Sequence, residues 1–223
     1  MASEQMLRAE ALECSGCRQA CHVMLYSDTE SKLFGKTPIK HIVLMQMRFD
    51  GLLGFPGGLV KPSEETLEAG LSRELLEEIG IALPISVEDH VESRFAPTSS
   101  PSSSSSSSSR LIIHFYVKKI EEELIREVEK AAASTAADHG LEVLGMVRVP
   151  LYTLKSGAGL SFFLSHSFIG NARSQLVRSL LRLHLVSPNE LHKALAQTLQ
   201  MHARSAEDLQ EALAFTEVQK RHF

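Results

Sequence analysis

Three glutamates form the part of the sequence best suited to chemistry. Glu74, Glu77 and Glu78 stand in a stretch whose apolar spacing predicts a helix. At about 100° per residue, Glu78 lies about 40° to one side of Glu74 and Glu77 about 60° to the other. Carboxylates grouped on one flank repel each other, and a hard divalent cation such as Mg²⁺ or Mn²⁺ relieves that repulsion while also binding phosphate oxygen. The pattern therefore predicts a metal site that acts on a diphosphate.

A glycine-rich segment, Phe55-Pro56-Gly57-Gly58, precedes this helix and is predicted to be irregular. Gly57 and Gly58 have no side chains, so their backbone can approach a ligand closely. Together the two features predict attack of a cation-activated water on a phosphoanhydride. Arg73, four residues before Glu77, is placed to orient that carboxylate. An acidic helix face is usually only solvated, as we expect for Glu121–Glu129, which no glycine segment precedes.

Hydrophobic periodicity predicts the strands and helices that must position these residues, and their mixture indicates an α+β protein. Strands or extended segments are predicted at Cys21–Tyr26, His41–Phe49, Ile85–Phe95, Arg110–Lys118 and Leu141–Val149. The glutamate helix is predicted over Glu65–Ile79, with Ser63 as N-cap, Glu64–Thr66 as an acidic first turn, and an end at Gly80. Further helices are predicted at Glu121–Ala133, Arg173–Leu185, Glu190–Met201 and Ala206–Lys220.

The predicted organisation is an N-terminal segment (1–17), one domain (18–187) and a helical C-terminal extension (188–223). The serine tract Pro97–Ser109 is predicted to be a mobile insertion between two strands of that domain.

Composition limits the classes of function. Of the 223 residues 43% are apolar, which excludes whole-chain disorder, and no apolar run is long enough for a membrane span. We therefore expect no membrane partner. The net charge of −4 argues against wholesale capture of nucleic acid, and we expect no DNA partner. Three cysteines within Cys14–Cys21 cannot form a disulfide framework, which favours a reducing compartment. Zinc is not expected, because no second cysteine pair exists and Cys21 and His22 would face opposite sides of a strand.

The string from Arg73 to Ile81 resembles the second half of the Nudix box, G-x5-E-x7-R-E-U-x-E-E-x-G-U, where U is a bulky aliphatic residue. The first half is one residue too long. Gly58 to Glu64 has the family spacing, and so does Glu65 to Arg73, so either Glu64 or Glu65 could be the first glutamate of the box.

The likeness continues outside the box, from about Arg18 to Leu185. It resembles the Nudix branch of the U8 snoRNA-decapping enzyme, to which syndesmos is related, and its segments are Ala20–Tyr26, Leu44–Gly51, Asp138–Gly145 and Ser167–Gly170. The resemblance implies a Nudix fold, a mixed sheet between helices. It implies a homodimeric hydrolase that uses Mg²⁺ or Mn²⁺, with Co²⁺ as a further candidate. The implied substrates are capped RNA and purine nucleoside diphosphates, namely inosine and xanthosine diphosphates cleaved to monophosphates. The implied location is the nucleus, in nucleolus and nucleoplasm, with the cytoplasm as a second location.

The resemblance also implies site residues. The metal ligands would be the Gly57 carbonyl, Glu74, Glu78 and Glu142. Glu77 would be either a further ligand or the base. The nucleotide contacts would be His22, Arg48, Phe55 and Gln175. Three of the four contacts have a physical rationale of their own: the planar guanidinium of Arg48 for phosphate, the ring of Phe55 for stacking and the amide of Gln175 for a base edge. The alternatives are a solvated arginine and a core phenylalanine.

Three questions stay open on the sequence. The family has a nucleotide-contacting histidine in the loop before the strand at Leu111, where this chain offers either Arg94 or Ala96. Arg178, Arg182 and His184 could form a positive patch for RNA or be only solvated. Finally, the chain could be a syndesmos-like binding scaffold with little catalysis, or a pyrophosphatase acting on free nucleotides alone.

Overall fold

Alternating apolar residues make Arg18–Asp28 the central strand of a mixed sheet. Cys21, Val23 and Leu25 point to one face and Met24 to the other, so both faces of this strand are buried. The computed structural model describes residues 5–96 and 110–201. The strands are β1 (Gln5–Met6), β2 (Arg18–Asp28), β3 (Lys32–Leu33), β4 (Thr37–Pro38), β5 (His41–Arg48), β6 (Leu53–Gly54), β7 (Gly57–Val60), β8 (His90–Phe95), β9 (Leu111–Lys119) and β10 (Val143–Arg148). The helices are α1 (Arg8–Glu13), α2 (Leu67–Ile79), α3 (Glu122–Ala132), α4 (Leu160–Leu164), α5 (Ala172–Arg182) and α6 (Pro188–Met201).

Eight of these strands form one sheet, in the order β1-β8-β9-β2-β5-β10, with β6 added to β5 and β7 added to β2. The β2–β9 pair is parallel and the other pairs are antiparallel. Helices α2 and α3 cover one face, around Leu71, Leu75 and Ile125. Helices α4, α5 and α6 cover the other, around Phe163, Leu176 and Leu191. The expected mixed sheet between helical layers is confirmed.

The sheet opens where β2 and β5 part. These strands pair only from Tyr26 to Asp28, while the other half of β2, Gln19 to His22, pairs with β7 instead. The chain between β6 and β7 fills the opening, and the Val23 N–H donates to the Pro56 carbonyl at 3.0 Å. The prediction of an irregular Phe55–Gly58 segment is therefore wrong for Gly57 and Gly58, because the free edge of β2 recruits them into a strand.

Helix α2 begins later than predicted. Its N-cap is Thr66, whose hydroxyl accepts from the Ala69 N–H at 3.1 Å, and the helix ends at Gly80 as expected. The prediction of Ser63 as N-cap, with Glu64–Thr66 as the first helical turn, is wrong. Those residues instead form a separate turn in which the Lys61 carbonyl accepts from the N–H groups of Glu64 and Glu65.

A buried hydrogen-bond chain joins β8, β9, β2 and α1. Gln19 Nε2 donates to the Ala11 carbonyl, so Gln19 Oε1 must accept from His114 Nε2, at 2.6 Å. His114 Nδ1 then accepts from the Ser93 hydroxyl at 2.9 Å, which in turn accepts from His90 Nε2 at 3.0 Å. Because His114 Nδ1 accepts a hydrogen bond, the ring must be neutral in this hydrogen-bond chain. Burial favours that state, since it lowers the pKa of His114 to about 4.

Other features were not predicted from the sequence. The short elements β1, α1, β3, β4 and α4 are all additions. Cys14 and Cys17 are joined as a local disulfide in the α1–β2 connection, whereas Cys21 is free and buried. The start of the C-terminal extension packs on the domain, since the Thr198 hydroxyl donates to the Ser161 carbonyl at 3.2 Å. The serine tract and Ala206–Lys220 lie outside the described residues. Within the described ranges, no helix has both the length and the apolarity to cross a membrane.

Candidate active site

Glu78 is the buried member of the predicted glutamate trio. One carboxylate oxygen accepts from the Gly57 N–H at 2.6 Å and the other from Gln46 Nε2 at 3.0 Å. Burial raises the pKa of Glu78 to about 7, opposed by these two hydrogen bonds and reinforced by the charges of Glu74 and Asp138. Helix α2 thus presents a carboxylate at the opening of the sheet, with excess negative charge around it.

Glu74 and Glu77 lie on the same flank of α2, and the guanidinium of Arg73 contacts both carboxylates. Arg73 Nη1 is 2.7 Å from Glu74 Oε1 and 3.5 Å from Glu77 Oε1. Glu77 is the more exposed, with 46% of its side chain accessible against 18% for Glu74. Burial raises the pKa of Glu74, against the pull of Arg73. The predicted grouping is therefore present, with an arginine bridging two of its members.

The same arginine decides between the two candidates for the first glutamate of the box. Arg73 Nη2 donates to Glu65 Oε1 at 2.9 Å and to the Leu59 carbonyl at 3.3 Å. Glu64 is exposed and meets only Lys61, at 3.5 Å. Glu65 is thus the glutamate that anchors Arg73, and the extra residue of the box lies in the turn before α2.

Two glycines make room for this arrangement in different ways. A Cβ on Gly58 would lie 2.1 Å from Glu74 Oε2, so the Glu74 carboxylate occupies the space that a side chain would fill. Gly57 has φ of 124°, and a Cβ there would lie 2.1 Å from the backbone carbonyl oxygen of Cys21. A side chain at position 58 would therefore displace the Glu74 carboxylate. A side chain at position 57 would clash with the backbone of β2 and strain its own backbone conformation.

The donor set fits a hard divalent cation, although the side chains are not arranged around one. Within residues 5–96 and 110–201, no three Asp, Glu, His or Cys side chains converge on one point as ligands. The fit rests on chemistry: the charge of Glu77 helps to raise the pKa of Glu74, and that of Glu74 helps to raise the pKa of Glu78. Beside them lies a buried Gln46 Oε1 that has no hydrogen-bond partner among the described residues. Arg73 can stay on Glu65 while Glu74 and Glu77 turn toward an ion.

The four predicted nucleotide contacts line one cavity of about 260 Å³ on the α5 face of the sheet; they are His22, Arg48, Phe55 and Gln175. The rest of its wall is mainly apolar and includes Leu111, Ile113 and Ile169. The two sites meet at Gly57, because its N–H binds Glu78 while its partner across the β2–β7 ladder is His22. A base-sized cavity therefore adjoins the carboxylate helix.

Contacts inside the cavity set the chemistry of its polar groups. His22 Nδ1 lies 3.2 Å from the Phe55 carbonyl, which can only accept, so the neutral ring keeps Nε2 as an acceptor. Burial lowers the pKa of His22 to about 4. Arg48 is held by Asp50 at 3.1 Å. Phe55 packs on Phe115 with ring centroids 5.1 Å apart, so it is a core residue as well as a cavity wall.

The cavity also shows what stands where the family has its additional histidine. Ala96 lines the cavity, whereas Arg94 pairs with Glu92 at 3.0 Å and with Gln5 at 2.9 Å, outside it. Of the two open alternatives, Ala96 is the residue that faces this cavity.

Two polar residues near the glutamates escaped the sequence reasoning, and one predicted ligand stands apart. No role was predicted for Gln46, which lies in the predicted strand His41–Phe49, or for Asp138. Yet Asp138 is near enough to raise the pKa of Glu78, and its N–H donates to the Glu77 carbonyl at 3.2 Å. Glu142 is exposed, and its backbone carbonyl accepts from the Phe49 N–H. Its role as a ligand stays a prediction.

Comparison with known proteins places the chain in a family. The profile of the family described as "Nudt16-like: U8 snoRNA-decapping enzyme-like" matches residues 19–186. The chain belongs to this family. It is 43% identical to the U8 snoRNA-decapping enzyme of Xenopus laevis over 191 residues, covering 84% of this chain and 86% of the relative. For the mouse enzyme of that name the identity is 48% over 177 residues, covering 79% and 87%.

A second group of relatives carries another name. The human Tudor-interacting repair regulator protein is 39% identical over 208 residues, covering 92% of this chain and 93% of the relative. Among solved structures, the NUDIX domain of Shewanella oneidensis NrtR complexed with ADP ribose matches 80% of this chain and 99% of that one, with a TM-score of 0.48 and 16% identity. Family membership confirms that the chain is a Nudix hydrolase with the Nudix fold, as the resemblance implied.

Proposed function

We propose that this Nudix hydrolase removes the cap from RNA and cleaves inosine and xanthosine diphosphates, and their deoxy forms, to monophosphates. One observation carries the proposal: the cavity lined by His22, Arg48, Phe55 and Gln175 adjoins the carboxylate helix through Gly57. The names of the frog and mouse relatives support a capped RNA as substrate.

The proposed roles follow from the contacts. The base lies in the apolar cavity, where Phe55 offers a ring and Gln175 offers an amide with both a donor and an acceptor. Arg48 lies at the cavity edge and exchanges Asp50 for a substrate phosphate. Across the β2–β7 ladder, the phosphoanhydride then faces Gly57 and the glutamates.

We infer that the protein uses Mg²⁺ or Mn²⁺, or alternatively Co²⁺, held by the Gly57 carbonyl, Glu74, Glu77 and Glu78, with Glu142 as a further ligand from outside the helix. When bound, such a cation would neutralise charge on the diphosphate and make water a better nucleophile. Glu77, the most exposed of the three glutamates, can serve as a further ligand or accept the proton of the attacking water. Arg73, anchored by Glu65, keeps Glu74 and Glu77 on the substrate side of α2.

Glu78→Gln tests the catalytic role most directly. Its amide can accept from the Gly57 N–H through oxygen, while Gln46 turns its unpartnered Oε1 toward the new amide nitrogen. We expect the fold to survive and turnover to fall by at least about a hundredfold. The assay follows products from capped RNA and from inosine diphosphate, with Mg²⁺ or Mn²⁺ and then with a chelator. Full turnover by Glu78→Gln would exclude the proposed site.

The same assay decides between the enzyme and its alternatives. A binding scaffold with weak catalysis is favoured by the Tudor-interacting relative and by the Arg73 contacts with Glu74 and Glu77. The enzyme is favoured by the retention of all three glutamates. Absence of turnover by the wild-type protein on both substrates supports the scaffold, and turnover of inosine diphosphate alone supports a pyrophosphatase of free nucleotides.

We also propose that the protein is a homodimer and acts in the nucleus, in nucleolus and nucleoplasm, with the cytoplasm as a second location. The name of the snoRNA-decapping relatives supports the nuclear location, whereas the homodimer rests on the family resemblance alone. Sedimentation of the purified chain and imaging of the tagged protein test the two statements separately.

A further inference from the structure

We call the cavity lined by His22, Arg48, Phe55 and Gln175 the nucleotide cavity. A second cavity, lined by arginines, lies beside it. It has a volume of about 280 Å³, and its charged lining residues are Arg94, Arg178, Arg182 and Glu92. Three guanidinium groups thus face a single carboxylate. We call this space the arginine cavity.

The two cavities are adjacent along one face of α5. Gln175 lines both, and Arg178 and Arg182 follow it at spacings of three and seven residues, which returns them to the same side of a helix. Phe55 of the nucleotide cavity packs on Phe115 of the arginine cavity. From Gln175 to Arg182 the helix rises about 10 Å. Arg178 and Arg182 therefore lie next along α5 beyond the nucleotide cavity.

Glu92 holds the arginine cavity in shape without cancelling its charge. It is buried, accepts from Arg94 Nε at 3.0 Å and lies 2.5 Å from Arg178 Nη2. A carboxylate so buried between two guanidinium groups fixes their positions. Arg182 is exposed, and within the described residues no hydrogen bond or ion pair engages it. The cavity therefore retains positive charge that can meet an anion.

We propose that the arginine cavity binds the phosphodiester backbone of the RNA chain attached to the nucleotide in the neighbouring cavity. This rests on the proposed function only for the identity of that nucleotide. A mononucleotide fills the first cavity alone, whereas a chain continues along α5 onto Arg178 and Arg182. Guanidinium groups suit phosphodiester oxygens because they pair two donors with two acceptors and keep their charge. The arginine cavity would thus favour RNA over free nucleoside diphosphates.

Arg182→Gln is the sharpest test, because no described residue forms a hydrogen bond or ion pair with the Arg182 side chain whose loss would disturb the fold. The matched control is Arg126→Gln on α3, which removes the same charge from an exposed residue on the opposite face of the sheet. The probes are a fluorescent single-stranded oligoribonucleotide with a 5′-monophosphate and, separately, inosine monophosphate. Arg182→Lys, which keeps the charge, is the conservative variant.

We expect Arg182→Gln to weaken oligoribonucleotide binding about five- to tenfold and to lower the slope of log K against log salt by about 0.7. Arg182→Lys restores most of the affinity, and binding of inosine monophosphate stays unchanged. An Arg182→Gln protein that binds the oligoribonucleotide like wild type, or an equal loss in Arg126→Gln, would overturn the proposal. These measurements need no turnover, so failure of the wild type to hydrolyse either substrate would refute the proposed function separately.

Discussion

Gly58→Ala separates the geometry of the site from the stability of the fold. Gly58 lies on β7 outside the left-handed region of φ, so its backbone accepts alanine without strain. The added Cβ would lie 2.1 Å from Glu74 Oε2 and 2.7 Å from its Cδ, where ordinary contacts begin at 3.4 Å. The Glu74 carboxylate must therefore move by more than about 1 Å. Because it is the end of a flexible side chain, it can do so at little cost to folding.

The expected loss of activity follows from that displacement. A misplacement of about 1 Å in a catalytic arrangement can cost about a hundredfold in rate. We expect Gly58→Ala to lose turnover of inosine diphosphate by about this factor, while its thermal unfolding midpoint stays near that of wild type. Gly57→Ala is the contrasting variant. Its Cβ would meet the Cys21 backbone carbonyl at 2.1 Å and φ is 124°, so we expect this protein to unfold at a markedly lower temperature.

A double-mutant cycle tests the reasoning itself. If Gly58→Ala acts by displacing Glu74, then adding it to Glu74→Ala, which leaves nothing to displace, should cause no further loss. Turnover of the two single variants and the double variant is measured at saturating Mn²⁺. Multiplication of the two losses in the double variant would show that Gly58 acts on something other than Glu74. Full activity of Gly58→Ala would show that the Glu74 position does not matter.

Two further predictions concern the surroundings of the site. Glu65→Gln should lower turnover by about tenfold because Glu65 anchors Arg73, whereas Glu64→Gln should change nothing, and equal effects would contradict the assignment. His114, with its pKa lowered to about 4, stays neutral when folded while the unfolded histidine binds a proton below about pH 6.5. The free energy of unfolding should therefore fall by about 2 kcal/mol from pH 7 to pH 5 through His114. Urea unfolding of His114→Gln should show that much less dependence on pH, and an unchanged slope would contradict it.

Periodicity was enough to predict the longer elements around the site, although not the short strand β7 that carries Gly57 and Gly58. Strands β2, β5, β9 and β10 and helices α2, α3, α5 and α6 all lie within a few residues of their predicted bounds. The short elements, such as β1 and α4, are too brief to show a period. Their existence depends on partners distant in sequence, for example the edge of β8 that pairs with β1.

The start of α2 shows how local signals can mislead. Ser63 has the composition of an N-cap and acidic residues follow it, yet Thr66 caps the helix. Tertiary contacts explain the choice: starting at Thr66 leaves Glu65 free to turn back onto Arg73. A helix that began at Ser63 would place Glu65 on the helical surface two turns before Arg73. The insertion that breaks the box spacing is therefore accommodated before the helix, and the Arg73–Glu78 geometry is unaffected by it.

The contact between the cavity and the glutamate helix could not be predicted from the spacing of residues in the sequence. It depends on which strands pair with each half of β2. One half of the strand pairs with β5 and the other with β7, so His22 and Gly57 become neighbours although 35 positions separate them. Had β5 paired along the whole of β2, no free edge would remain for Gly57, and Glu78 would lose the N–H that holds it at 2.6 Å. Gly57 in this opening links the nucleotide cavity on one face of the sheet to Glu78 on the other. A substitution that closed it, with every predicted site residue left in place, should abolish turnover.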